Sequence, residues 1–394
     1  MAPAGKLVIL QAGGPTAVVN ASLVGAIRAS RHAGGSGVLA ARFGMEGVLA
    51  SDYLDLTEAS EPQLDLLART PGAALGSSRH RPDDAEIEHA VGLLAGLDVR
   101  WLVAIGGNDT ADSLHRLHQA AQRAGRSLAV VGIPKTIDND LPGMDHCPGY
   151  GSAARYLALA LREAAIDTAA MRRTDPIKIV EVMGRNAGWL AAAGAIARES
   201  PGDAPQVVFL PERPRSLQQM LDEVSGSYAA KGWTVVVISE NQRDDQGQPI
   251  AGGDPVHVDA HGHPYHESGG AHLAREVQSR LGIRARYERP GSLQRTASAA
   301  ISETDALEAE MVGAEAVRLA LSGNSDVMVA IQRARGDQYA ISLGTVPLAT
   351  VARQERRLPD ELIAESGVDV TDGFFEYARP LIGGPLPALF RLPG

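Results

Sequence analysis

The chain of 394 residues contains a single cysteine, Cys147, which excludes both an intrachain disulfide framework and a zinc–thiolate centre. A reducing, cytoplasmic setting is therefore expected. No stretch approaches the about eighteen apolar residues of a membrane span, and the opening MAPAGKLVILQAGG has too short an apolar run for a signal peptide. Lysine is scarce too: four stand among 37 basic residues, so arginine supplies nearly all the positive charge. Lys135, in a polar loop, stands out because a compact ammonium is chemically distinct from a planar guanidinium. A formal net charge of −10 argues against a general nucleic-acid or anionic-membrane surface, though local arginine clusters can still hold anionic substrates. Also missing are the full G-x-G-x-x-G spacing with its acidic partner, a Walker lysine, and any short-period repeat.

The length exceeds one comfortable core, so two domains sharing a cleft are expected. The chemistry concentrates between Leu102 and Leu141. Leu102 to Ile105 is an apolar run ended by Gly106-Gly107, and Asp109 and Thr110 precede a helical pattern closed by Gly125. Leu128 to Ile133 is a second apolar run, ending at Pro134 in the loop Lys135, Thr136, Ile137, Asp138, Asn139, Asp140. A right-handed crossover makes these strands parallel and places both loops at one carboxyl edge of the sheet. The first loop offers unobstructed backbone N–H groups and a helix amino terminus, which suit a phosphate. The second offers an ammonium and two carboxylates. In an extended loop Asp138 and Asp140, two residues apart, point to the same side, so one could accept a proton while the other orients a partner or a metal-bound water. The combination is a phosphoryl-transfer inventory.

The remaining segments read as support. Lys6 to Gln11 is a buried-strand pattern running into Gly13-Gly14 and a helix through Val19, Leu23 and Ile27, another plausible phosphate cradle. Val38 to Phe43 reads as a strand. Thr70 to Arg81 is a loop of small residues ending in Arg79 and Arg81, suited to phosphate oxygens. Ile177 to Val182 is a strand that stops at Met183-Gly184-Arg185, and Val207 to Leu210 and Thr234 to Ser239 complete that domain's sheet, the latter ending at Glu240. The polar stretch from Asn241 to Ser268 reads as an insertion, with His261, His263 and His266 taken as solvated rather than metal-binding. Ile283 to Arg295 brings together Arg284, Arg286, Arg289 and Arg295, more cation than a fold needs. Ala306 to Ser322 is helical, Val327 to Gln332 and Tyr339 to Leu343 form a terminal strand pair, and Thr345 to Arg357 can be helical. Pro380 to Gly394 reads as a surface tail.

The Gly-Gly junction, the PKTIDND loop, MGR and the late Gln294-Arg295, in that order and spacing, resemble the phosphofructokinase family along most of the chain. The resemblance implies two doubly wound α/β domains with mostly parallel sheets and the active site in the cleft between them. It implies a donor-binding domain from 1–147 plus about 294–345, and a sugar-phosphate domain from 148–293 plus about 346–394. By position it makes Asp138 the acceptor of the sugar C1 hydroxyl proton, with Thr136, Ile137 and Asp140 beside it. Met183, Gly184, Arg185 and Glu240 would contact the sugar, Arg295 its 6-phosphate, and Gly13, Gly14 and Arg79 the donor phosphates. Arg286 sits where the family reaches across a subunit interface, which implies a homodimer or homotetramer. Ser292 replaces a histidine common in the sugar site, and Asn108 replaces the acidic residue most members place near Mg²⁺, so the metal would rest on a neutral carbonyl oxygen, with Asn108 as the candidate, on Asp109, or mainly on the donor pyrophosphate itself.

Two further departures bear on the donor. ATP-using members carry glycine where this chain has Asp109 and Lys135, and pyrophosphate-dependent members resemble it at both. A carboxylate at Asp109 repels a nucleotide α-phosphate, while Lys135 neutralises a short donor. The expected activity is thus Mg²⁺-dependent, reversible transfer from pyrophosphate to fructose 6-phosphate. The competing expectations are an ATP-dependent phosphofructokinase, sedoheptulose 7-phosphate as a rival sugar, and a non-catalytic phosphosugar sensor.

Overall fold

The computed structural model describes residues 5–34, 37–200, 202–252, 257–258, 264–265, 267–336 and 338–389. His261, His263 and His266 lie outside the described residues. Contacts divide the chain into a first unit, Met1–Ser152 with Arg295–Arg356, and a second, Ala153–Gln294 with Arg357–Gly394. The strands in chain order are β1 (Lys6–Gln11), β2 (Val38–Ala41), β3 (Tyr53–Asp55), β4 (Val99–Gly106), β5 (Ala129–Pro134), β6 (Ile177–Val182), β7 (Val207–Phe209), β8 (Thr234–Ser239), β9 (His257–Val258), β10 (Pro264–Tyr265), β11 (Ala285–Glu288), β12 (Val327–Arg333) and β13 (Ile341–Pro347).

The first unit is a seven-stranded sheet in the order β13-β12-β5-β4-β1-β2-β3. Its five inner strands are parallel and both edge strands, β3 and β13, are antiparallel to their neighbours. The fully buried runs of β1, β4 and β5 match a sheet covered on both faces. One face packs on the helices Val19–His32 and Glu303–Leu321, the other on Asp84–Gly96 and Asn108–Arg123. The chain turns from β1 toward β2 in one direction and from β4 toward β5 in the other, so the β1 and β4 ends form a topological switch point. The second unit has a parallel sheet in the order β11-β6-β8-β7, with the helices Leu217–Lys231 and Gly269–Leu281 on one face. Both sheets are mostly parallel, as expected from the sequence.

Some boundaries moved for identifiable reasons. β2 stops at Ala41 rather than Phe43, whose backbone is left-handed at φ 55°. The expected helix from Thr345 to Arg357 is instead the end of β13 followed by only Leu348–Val351. Thr345 and Val346 pair with β12, Pro347 ends that strand, and Arg353 is left-handed. Among the described residues, no helix is long and apolar enough to cross a membrane.

Helices Val19–His32 and Glu303–Leu321 touch backbone to backbone. A β-carbon on Gly25 would lie 2.0 Å from the Glu310 carbonyl oxygen, and one on Gly313 would lie 2.0 Å from that of Ser22. Gly313→Val should therefore lower stability by roughly 1–3 kcal/mol or more, the usual scale of overpacking. Gly92→Ala, at an exposed helical position with nothing within 4 Å, should instead gain about 0.5–1 kcal/mol. Thermal and denaturant midpoints of the two variants should move in opposite directions; equal shifts would contradict the close helix contact.

Candidate active site

Three strand ends of the first unit supply one cradle. β1 hands over to Gly13-Gly14, β4 to Gly107 and the helix Asn108–Arg123, and β5 to Lys135. The ends are stitched together: Ala12 N–H donates to the Ile105 carbonyl at 2.9 Å, and Lys135 N–H to that of Gly106 at 3.0 Å. Lys135 is buried, and its Nζ donates to the Gly14 carbonyl at 2.8 Å. The loop 70–81 closes over the same turn, since Gly13 N–H donates to Ser78 O at 3.2 Å and Ser77 Oγ to Gly13 O at 2.5 Å. Arg79, next in that loop, is exposed. Arg295 also comes here: a β-carbon on Gly14 would lie 2.9 Å from its Nη1. Gly13, Gly14, Lys135 and Arg295 are thus brought together, with the Arg79 loop over them.

Asp109 is not an isolated charge. It pairs with Arg81 at 2.9 Å, and the two side chains are 41% and 52% exposed. Asn108 spends its amide oxygen locally, accepting the Asp109 N–H at 2.9 Å. Among the described residues no group of three or more His, Cys, Asp or Glu side chains stands ready to cage a metal. A protein-built cage does not fit here. A hard cation that arrives on phosphate oxygens and keeps its waters fits a single neutral oxygen such as that of Asn108.

The loop after Lys135 is not extended. Asn139 is left-handed at φ 56°, a conformation asparagine tolerates, and its Oδ1 accepts the Cys147 N–H at 3.0 Å. The alternation that would set Asp138 and Asp140 on one side therefore fails: Asp138 is half-buried, Asp140 buried. Asp138 N–H donates to Thr136 Oγ1 at 3.1 Å, and Ile137 is buried beneath. Arg356 then fastens the loop from outside. Its guanidinium donates to the carbonyls of Asn139, Met144 and Asp145 at 2.9, 2.8 and 2.6 Å, and its N–H to that of Asp140 at 2.6 Å. No sequence signal pointed to this residue, more than two hundred positions away.

In the second unit β6 ends at Met183, whose N–H donates to Gln294 Oε1 at 3.1 Å. Gly184 has φ +136°, and a β-carbon there would lie 2.8 Å from the Ala187 carbonyl oxygen, so the turn requires glycine. Arg185 N–H donates to Glu240 Oε1 at 3.3 Å, and Arg289 Nη2 to Glu240 Oε2 at 3.1 Å. Met183, Gly184, Arg185 and Glu240 are thus joined, with Gln294 and Arg289 as partners to which the sequence reading gave no role in this set. The expected excess of cation resolves into ion pairs. Arg284 and Arg286 both hold Asp175 at 2.7 Å, and Arg289 also meets buried Glu181. Asp175 is lowered below the ordinary carboxyl range, first by the Arg286 hydrogen bond. Arg286 is otherwise half-exposed and Ser292 exposed.

A parallel α/β chain with a glycine turn, a buried lysine and arginines at its switch point belongs to the phosphate-handling class. The phosphofructokinase family model matches residues 6–320. A pyrophosphate–fructose 6-phosphate 1-phosphotransferase of Xanthomonas campestris pv. campestris is 40% identical over 396 residues, spanning 99% of this chain and 94% of its own. One from Rhodospirillum rubrum is 37% identical, spanning 98% and 96%. The crystal structure of a pyrophosphate-dependent phosphofructokinase from Marinobacter aquaeolei superposes with a TM-score of 0.86 at 34% identity, covering 98% of this chain and 94% of that one. This chain belongs to the phosphofructokinase family, as its motifs led us to expect.

Burial pushes the Cys147 thiol up to about 12. At pH 8 Cys147 should resist a maleimide in the native protein and react once the chain is unfolded, as read by mass spectrometry. Rapid native labelling would mean that the Asn139–Cys147 loop opens readily.

Proposed function

We propose that this chain transfers a phosphoryl group reversibly from pyrophosphate to the C1 hydroxyl of fructose 6-phosphate. The observation that carries the reading is the buried Lys135 ammonium, fixed on the Gly14 carbonyl with the half-open Asp138 three residues on. Asp138 accepts the C1 hydroxyl proton as that oxygen attacks phosphorus and the bridging P–O bond breaks, releasing phosphate. Lys135, Arg79 and the backbone at Gly13-Gly14 neutralise charge on the donor and leaving phosphate. Met183, Gly184, Arg185 and Glu240 hold the sugar, and Thr136 and Asp140 steady the base. Arg295 serves the sugar 6-phosphate, and its place beside Gly14 also puts it within reach of the donor. Asn108 is the residue that would hold a Mg²⁺ ion brought in with the pyrophosphate, and the ion would supply neutralisation of phosphate charge. Arg286 and Ser292 complete the sugar site of a homodimer or homotetramer, and the setting is the cytoplasm.

Asp138→Asn should lower kcat by roughly 10²–10⁴ while changing the sugar KM much less. Near-normal turnover in that variant would remove Asp138 from the role of base.

Donor choice rests on Asp109 and Lys135. Because Asp109 is 41% exposed and paired with Arg81, its electrostatic penalty on a nucleotide α-phosphate is at most about 1 kcal/mol, and the rest of the discrimination is steric. Lys135→Gly should depress kcat with pyrophosphate far more than it weakens sugar binding. Asp109→Gly, alone or with Lys135→Gly, should admit ATP, and the two changes should be non-additive. Initial rates with pyrophosphate and ATP, on fructose 6-phosphate and sedoheptulose 7-phosphate, test donor and sugar together. Equal use of ATP and pyrophosphate by the unmodified enzyme would favour the ATP-dependent alternative.

A further inference from the structure

Directly after the loop of Asp138 lies a buried histidine–glutamate pair with two half-buried charges beside it, a group that the transfer chemistry does not use. His146 is 2% exposed, and both of its ring nitrogens meet carboxylates: Nδ1 with Asp145 Oδ2 at 2.7 Å, and Nε2 with Glu308 Oε2 at 2.6 Å. With both carboxylates ionised they can only accept, so both nitrogens donate and the ring is then an imidazolium. Arg333 on β12 holds Asp145 through Nη2 at 3.0 Å, and the Tyr339 hydroxyl donates to Glu308 Oε1 at 2.5 Å. Two cations and two carboxylates therefore meet here, and a neutral His146 would remove the cation that faces the buried Glu308 carboxylate.

The set spans separate elements. Asp145 and His146 belong to the loop after Asp138, Glu308 to the helix Glu303–Leu321, and Arg333 to β12. From the same helix, buried Asp305 accepts the N–H groups of Gly149 and Ser152, each at 2.8 Å. The Asp145 carbonyl also receives Arg356, which grips Asn139, the neighbour of Asp138.

We propose that His146 is a positioning residue whose imidazolium, bridging Asp145 and Glu308, locks the Asp138 loop onto the helix Glu303–Leu321. The proposal rests on the phosphotransfer assignment for its kinetic consequence but not for its structural one. Burial works against charge on His146, but the hydrogen bonds it donates to Asp145 and Glu308 prevail and raise it above its ordinary value. Burial likewise works on Asp145, and His146 and Arg333 bring it below the usual carboxyl range. The stabilisation from the His146 proton is complete below the ordinary imidazole range and is lost as pH rises through the raised folded value. Turnover should fall on that alkaline side as the loop loosens.

His146→Gln should lower kcat about tenfold or more, with the KM values of sugar and pyrophosphate held within about threefold. Amide hydrogen exchange should accelerate in peptides covering 136–149. Glu308→Gln, which keeps the shape and removes the charge, should move the alkaline limb of kcat to lower pH. Nitrogen-15 spectra of the unmodified enzyme should show both His146 ring nitrogens protonated at neutral pH. A neutral tautomer would overturn the proposal even if the variants fail to fold. So would a folded His146→Gln enzyme with unchanged exchange and kcat, or an unmoved alkaline limb in Glu308→Gln. The exchange and nitrogen-15 measurements need no substrate, so they decide the lock even if the transferase assignment fails.

Discussion

The structure depends on holding the loop of Asp138 in place where no regular secondary structure does so. From Asp138 to Pro148 the backbone belongs neither to a strand nor to a helix, so its polar groups must find partners one by one. Arg356 takes four carbonyls when its own N–H is counted, Asn139 takes the Cys147 N–H, and Asp305 takes the N–H groups of Gly149 and Ser152. A typical hydrogen bond adds only about 1 kcal/mol, and one to a charged group about 1.5–3 kcal/mol. Several together, each anchored in the first unit, offset much of the entropy lost in ordering the loop. That leaves Asp138 half-open while its neighbours are fixed.

Burial separates the charges of the first unit into two kinds. Lys135, His146, Glu308 and Asp305 are nearly inaccessible, and each has partners within hydrogen-bond reach. Their interactions are little screened, so they set geometry. Asp109 and Arg81 lie in contact with water, where an ion pair contributes little to stability. Their value is local shape and sign at the start of the helix Asn108–Arg123, and the proposed donor discrimination draws on both. A carboxylate there with its own arginine can occupy space without forfeiting the fold.

The second unit uses the same economy at β6 and β8. Buried Glu181, inside β6, accepts the Gly270 N–H at 2.9 Å and a hydrogen bond from Ser268 Oγ at 2.5 Å. It thereby ties β6 to the start of helix Gly269–Leu281 and offers its remaining charge to Arg289. Arg289 in turn steadies Glu240, which holds the Arg185 N–H. A side chain taken for surplus cation is thus part of how the Met183–Arg185 turn keeps its form.

The sequence by itself determined the strand-and-turn framework. Apolar runs marked β1, β4, β5, β6 and β8, with glycine following β1, β4 and β6, and β6 and β8 agree with the structure to the residue. It also identified the family, because PKTIDND and MGR are local words whose meaning survives without coordinates. What only the tertiary structure decided are relations between distant residues: Arg356 on the Asp138 loop, Arg295 against Gly14, Arg81 on Asp109, and His146 between Asp145 and Glu308. It also decided that Asn139 turns left-handed, which separates Asp138 from Asp140. Periodicity records which face a residue presents along its own element, whereas these pairings follow from how elements meet. A buried charge or an irregular turn is stable only once its partner has arrived.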